Sequence, residues 1–103
     1  MNPSLFEESL RLEKAHTPFA VASIIRSAGS TPRTHAKMII TAAGETFGTI
    51  GGGVAESFVI DAAREAIREG RSRVVEYRLD SGDSPQSISM LCGGNLDIFI
   101  EVF

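Results

Sequence analysis

The spacing of hydrophobic residues along the chain predicts two helices. The more regular pattern runs from Val54 to Glu69, where apolar residues recur at intervals of three and four. Gly70 follows this pattern at the position where a glycine commonly ends a helix. A shorter helix is predicted from Ser4 to about Ala15, because Ser4 and Glu7 have the spacing of a capping box.

Five segments rich in β-forming residues predict the strands: residues 19–25, 37–42, 46–50, 73–79 and 96–103. The first is almost continuously apolar, which is typical of a strand covered on both faces. The last alternates apolar and polar residues, which places its apolar set on one face. The element order α-β-β-β-α-β-β favours an α+β fold, a single domain over residues 1–103 with a mixed sheet of about five strands and two main helices packed on it.

Composition excludes several classes of protein. The chain has 103 residues, of which 43% are hydrophobic, and a formal charge of −3, which argues against a broad nucleic-acid-binding face. Cys92 is the single cysteine, so no intramolecular disulfide can form and a reducing compartment is expected. The first residues lack the pattern of a signal peptide, and no apolar run has the length of a membrane helix. We therefore predict a cytoplasmic protein.

Clustered glycines mark the first candidate binding site. Gly51, Gly52 and Gly53 lie between a predicted strand and the clearest helix. Glycines allow a ligand close to the backbone, and the first amides of a helix attract anions, so this junction could bind a phosphate. Neither a dinucleotide-binding fingerprint nor a P-loop is present. The alternative is a tight turn without a ligand, and the triplet alone does not decide between the two.

Two further glycine-rich segments carry reactive or charged side chains. The segment from Gly29 to Arg33 contains an arginine that could contact a phosphate or carboxylate with two hydrogen bonds, or form an ordinary surface ion pair. Cys92 precedes Gly93 and Gly94, and its thiol could be a metal ligand or a nucleophile. Alternatively, it is a small buried apolar residue, which is the commoner role of a lone cysteine.

The sequence contains no convincing catalytic constellation, so no catalytic residue is assigned. His16 and His35 lack a zinc-binding spacing, and no nucleophile elbow supports a serine triad. Glu56 lies in the first turn of the second helix. It could interact favourably with the helix N-terminus, or it could bond a polar heterocycle.

Four segments together resemble the N-terminal domain of the XdhC/CoxI family, the xanthine dehydrogenase accessory factors. They are GSTPR, AKMIIT, GTIGGGVAE and CGGNLDIFIE, and their order and spacing also match, so that the resemblance extends from about Phe19 to Phe103. Family members bind molybdenum cofactor and help to load it, in sulfurated form, into molybdenum hydroxylases. Many of them continue into a C-terminal Rossmann-like domain, which we expect this chain to lack.

The resemblance implies an accessory or chaperone domain, and not a conventional enzyme, that binds molybdopterin transiently and assists a xanthine dehydrogenase-like client. The implied ligand contacts are Arg33, Gly51, Gly52, Gly53, Glu56, Cys92, Gly93 and Gly94, with Cys92 as the candidate to meet the metal. Val54 stands where the family usually has a cysteine. Family members also commonly carry a glycine between the arginine and the methionine, and residues 34–37 contain none. The alternative is an interaction module that docks on a separate Rossmann-type subunit or on itself, without cofactor. An exposed apolar patch left by the absent second domain would also favour a homodimer.

Overall fold

The two predicted helices and five predicted strands are all present in the computed structural model, which describes residues 4–27, 36–51, 53–78 and 95–103. In chain order they are α1 (Leu5–Lys14), β1 (Phe19–Ser27), β2 (Lys37–Thr41), β3 (Thr46–Thr49), α2 (Gly53–Glu69), β4 (Arg73–Arg78) and β5 (Asn95–Val102). The strands form one sheet in the order β3-β2-β1-β5-β4. The α+β class is therefore confirmed.

All four strand pairs of this sheet are antiparallel, so the prediction of a mixed sheet is wrong in that respect. The reason is the path of α2, which carries the chain from β3 at one edge to β4 at the other. β3 and β4 run in the same direction but are never neighbours. The sequence pattern could not show this, because it does not determine which strands are adjacent.

The two helices cover different faces of the sheet. α2 packs on one face, where the main core contains small and branched side chains such as Ala22, Ile24 and Ile100. The alternating apolar residues predicted for β5 are on this side: Leu96, Ile98 and Ile100 are buried, and Val102 packs against the cluster. α1 packs on the opposite face, where Leu12, Phe19 and Ile39 form a second, smaller cluster.

Both helix boundaries follow the predicted local signals. Ser4 accepts a hydrogen bond from the Glu7 amide at 3.1 Å, and the Glu7 carboxylate accepts one from the Ser4 amide at 2.8 Å, so the predicted capping box is present. Gly70 ends α2 with φ +67°, as predicted. His16 has a similar left-handed φ of +56° after α1, which the sequence did not indicate. Neither of these helices is long and apolar enough to cross a membrane, as judged over the described residues.

Gly48 in β3 provides a test of backbone packing. Its φ is +83°, and a Cβ added there would lie 2.9 Å from the Lys37 carbonyl oxygen and 3.2 Å from Leu5 Cδ2. We expect Gly48→Ala to lower the free energy of unfolding by about 2–4 kcal/mol, which combines left-handed strain with overpacking. Gly70→Ala is the matched control, since its φ is +67° but nothing lies within 4 Å.

The control should lower the free energy of unfolding by about 1–2 kcal/mol, because it adds left-handed strain without a clash. Urea unfolding of both variants measures the difference. Equal losses would contradict the close approach of β2 and α1 to Gly48.

Candidate functional site

The three glycine-rich segments are attached to the sheet at the same end. Ser27 and Lys37 flank the first segment, and the register pairs Ser27 with Leu96 and Lys37 with Thr49. Arg78, which precedes the third segment, pairs with Asn95, which follows it. Because neighbouring strands are antiparallel, β1, β3 and β4 finish where β2 and β5 begin. We call this end of the strands the loop end of the sheet, and the opposite end of the strands the far end.

Of the eight predicted ligand contacts, Gly51, Gly53 and Glu56 are described by the structure. The other five, Arg33, Gly52, Cys92, Gly93 and Gly94, lie outside the described residues. Their contact with a ligand therefore remains a prediction, while the anchoring of their segments at the loop end follows from the strand register.

A small hydrogen-bond network joins the end of β3 to the first turn of α2. The Thr49 hydroxyl donates to Glu56 Oε2 at 2.5 Å, and the Ile50 amide donates to the same oxygen at 3.3 Å. The Gly51 amide in turn donates to Thr49 Oγ1 at 3.0 Å. Glu56 therefore ties the end of β3 to the first turn of α2, a role that differs from the helix N-terminus and ligand contacts that the sequence suggested.

The turn itself requires glycine. Gly51 has φ +123° and Gly53 has φ +73°, values that residues with a side chain rarely adopt. Ile50, only 2% exposed, fixes the chain in the main core immediately before the turn. Since the amides of Ile50 and Gly51 already have acceptors, an anion at this junction would bind the first-turn amides of α2, which have no partner within the helix.

Charged side chains at the loop end include residues that sequence analysis did not select. Arg26 pairs with Asp97 at 3.2 Å, and Arg78 pairs with Glu76 at 3.3 Å. Lys37 lies at the start of β2 and is exposed. Asp97 falls on the polar phase of β5, but its pairing with Arg26 depends on a register that includes a bulge between Ile24 and Arg26. No local signal could have identified that pair.

Two other ion pairs alter a pKa, and both lie towards the far end. A hydrogen bond and the charge of Glu8 raise the pKa of Arg11 in α1. A hydrogen bond and the charge of Arg73 lower the pKa of Glu69 at the end of α2. These pairs stabilise charged forms that are already favoured at neutral pH, so they serve the helices rather than acid–base chemistry.

The described residues do not identify a metal-binding site. No group of three or more His, Cys, Asp or Glu side chains among them is arranged to hold a metal ion. Cys92, the predicted candidate, is outside those residues.

The width of the loop end bears on the size of the ligand. A ligand that touched the ends of both β3 and β5 would span three strand spacings, about 14 Å. That length suits a small organic cofactor better than an inorganic anion.

Comparison with known proteins finds two longer relatives. The uncharacterized protein YqeB of Escherichia coli K12 is 38% identical over 99 residues, which are 96% of this chain and 18% of YqeB. A crystal structure of a xanthine dehydrogenase from Bacillus halodurans superposes with a TM-score of 0.77 and 27% identity, over 97% of this chain and 30% of that one. The chain thus spans less than a third of either relative.

The sequence pattern of one family covers α2 and four of the five strands, β1 to β4. The match extends over residues 12–78, from the last turn of α1 to the end of β4, and includes the glycine triplet and Glu56. The chain belongs to the XdhC and CoxI family.

Proposed function

We propose that this chain binds molybdenum cofactor at the loop end of the sheet and assists the maturation of a molybdenum hydroxylase related to xanthine dehydrogenase. Membership of the XdhC and CoxI family supports the link to this class of enzyme, as does the similarity to the Bacillus halodurans structure. The observation that carries the binding site is the common anchoring of three glycine-rich segments at one end of the sheet.

The residues at the loop end fit an anionic ligand with a polar ring. The first turn of α2 offers backbone amides and the positive end of the helix dipole to a phosphate. Arg33, in the first glycine-rich segment, would add a hydrogen-bonded positive charge. Glu56 ties Thr49 and Ile50 at the end of β3 to the first turn of α2, and a contact between its carboxylate and the pterin remains a prediction.

The metal centre of the cofactor would supply redox and sulfur chemistry to the client enzyme once it has been transferred. This chain's own part is to bind, orient and release. Cys92 is the thiol proposed to lie near the metal. Val54, at 38% exposure in the first turn of α2, stands where the family usually has a cysteine, so we propose that this chain does not handle sulfur through that position.

Co-purification of pterin is the direct test of this function. We expect the protein isolated from a molybdenum-replete host, or supplied with molybdopterin after purification, to release the fluorescent oxidised pterin on denaturation. The expected ratio approaches one pterin per site when molybdopterin is in excess. A control preparation from cells unable to make molybdopterin should release none. If neither route yields bound pterin, the proposal fails.

A further inference from the structure

The sheet face that carries α1 is only half covered. α1 lies along β2 and β3, with Leu5 beside Gly48 at the loop end, and its C-terminal end leads into β1 at the far end. Beside it a groove of about 620 Å³ runs over the open part of the same face. Val21 and Ser23 of β1 form its floor, and Glu101 and Phe103 line its other side. The face therefore consists of a helical ridge next to a groove.

Exposed apolar side chains are concentrated on this ridge and groove. Six large hydrophobic side chains are exposed among the described residues, and four of them belong to this face. Phe6 and Leu10 on the ridge are 89% and 52% exposed, and Phe103 beside the groove is 54% exposed. Val74 is 57% exposed and pairs with Phe99, whose other neighbour is Ser23 on the groove floor. Several exposed apolar side chains on one face are typical of an interface.

The ridge and the groove also carry complementary charges. Phe6, Leu10 and Lys14 are spaced four residues apart, so they share one side of α1, with the lysine at the far end. On the side away from the ridge the groove is lined by the Glu101 carboxylate; Glu13 of α1 itself and Lys37 at the loop end also line it. Glu101 pairs with Val21 in the half of the sheet nearer the far end. The Lys14 cation at the far end of the ridge is thus available to the Glu101 carboxylate at the same end of another copy's groove.

We propose that this face binds a second copy of the chain. The two copies face each other with this side of their sheets, and a two-fold axis runs parallel to the strands midway between them. This axis keeps the far ends of both copies together. It also places the helical ridge of each copy in the groove of the other. The two α1 helices then lie side by side between the sheets, with Phe6 and Leu10 enclosed. Lys14 of each copy lies near the partner's Glu101. The contact is isologous and closed, as expected for a dimer.

Sedimentation equilibrium and light scattering on the 103-residue chain test this arrangement. We expect a mass twice that of the 11.0-kDa chain at high concentration. Phe6→Asp should weaken association by at least tenfold, while circular dichroism stays unchanged because Phe6 is 89% exposed. Val54→Asp is the matched control and should remain dimeric, since Val54 lies in α2 on the opposite side of the sheet.

A charge exchange tests the orientation of the two copies. Glu101→Lys should weaken the dimer, and adding Lys14→Glu to the same chain should restore it. A wild-type chain that is monomeric at hundreds of micromolar overturns the proposal, and so does a dimer that survives Phe6→Asp. If the Glu101→Lys, Lys14→Glu double variant does not regain the dimer, the proposed two-fold axis is wrong. The inference does not rest on cofactor binding, which the pterin assay measures independently.

Discussion

Arg33→Ala is expected to lower the affinity for molybdopterin by about tenfold or more. A charge-assisted hydrogen-bonded contact contributes about 1.5–3 kcal/mol, and 1.4 kcal/mol corresponds to a factor of ten in the dissociation constant. Of the described cations at the loop end, Arg26 and Arg78 already pair with carboxylates, and the exposed Lys37 lacks the two-donor geometry of a guanidinium. Titration of the purified chain with molybdopterin, followed by pterin fluorescence in the bound fraction, measures the change.

Arg68→Ala is the matched control for this experiment. It removes the same charge from an exposed position in the last turn of α2, at the far end of the sheet. Its affinity for molybdopterin should equal that of the unmodified chain. Equal losses in the two variants would indicate a general effect of net charge, and would remove Arg33 from the proposed site.

Ile100→Ala is expected to lower the free energy of unfolding by about 2–5 kcal/mol, a large part of the stability of a domain this small. Ile100 is fully buried on the face covered by α2, between Ala22 of β1 and Arg73 of β4. The small side chain of Ala22 leaves Ile100 to fill the space beneath α2, and a truncated side chain there leaves a cavity. Chemical denaturation followed by circular dichroism gives the value.

Ile25→Ala provides the comparison with the same chemical change. Ile25 lies in the neighbouring strand β1 but is 52% exposed. Its truncation should cost less than about 1 kcal/mol, because most of the deleted methyl groups are already in water. A loss as large as that of Ile100→Ala would contradict the assignment of the core to the α2 side of the sheet.

Local signals predicted the elements accurately because each depends on residues close together in sequence. The capping box of Ser4 and Glu7 and the terminal Gly70 of α2 act within one helical turn, and the alternation in β5 repeats every two residues. The left-handed backbone conformation of His16 was not predicted from the sequence. His16 is not a glycine, and its conformation is stabilised by hydrogen bonds around the end of α1, such as the one that the Thr17 amide donates to the Leu12 carbonyl oxygen.

The candidate site was only partly accessible to the same reasoning. Its glycine clusters and Glu56 were visible as residue types, but their roles depend on distances that no local pattern encodes. Thr49 illustrates this point: nothing in its neighbourhood marks it, yet its hydroxyl connects Glu56 to the Gly51 amide. Likewise, Asp97 becomes part of the loop end through its ion pair with Arg26, across two strands that are distant in sequence.

By itself the sequence determined the two helices, the five strands, their main boundaries and the three glycine-rich segments of this family member. The tertiary structure decided that those segments leave the sheet at one end, that all strand pairs are antiparallel and that α1 covers half of one face. The physical reason is range. Helix periodicity and capping are satisfied within a few residues, whereas strand order and register are set by packing between residues far apart in the chain.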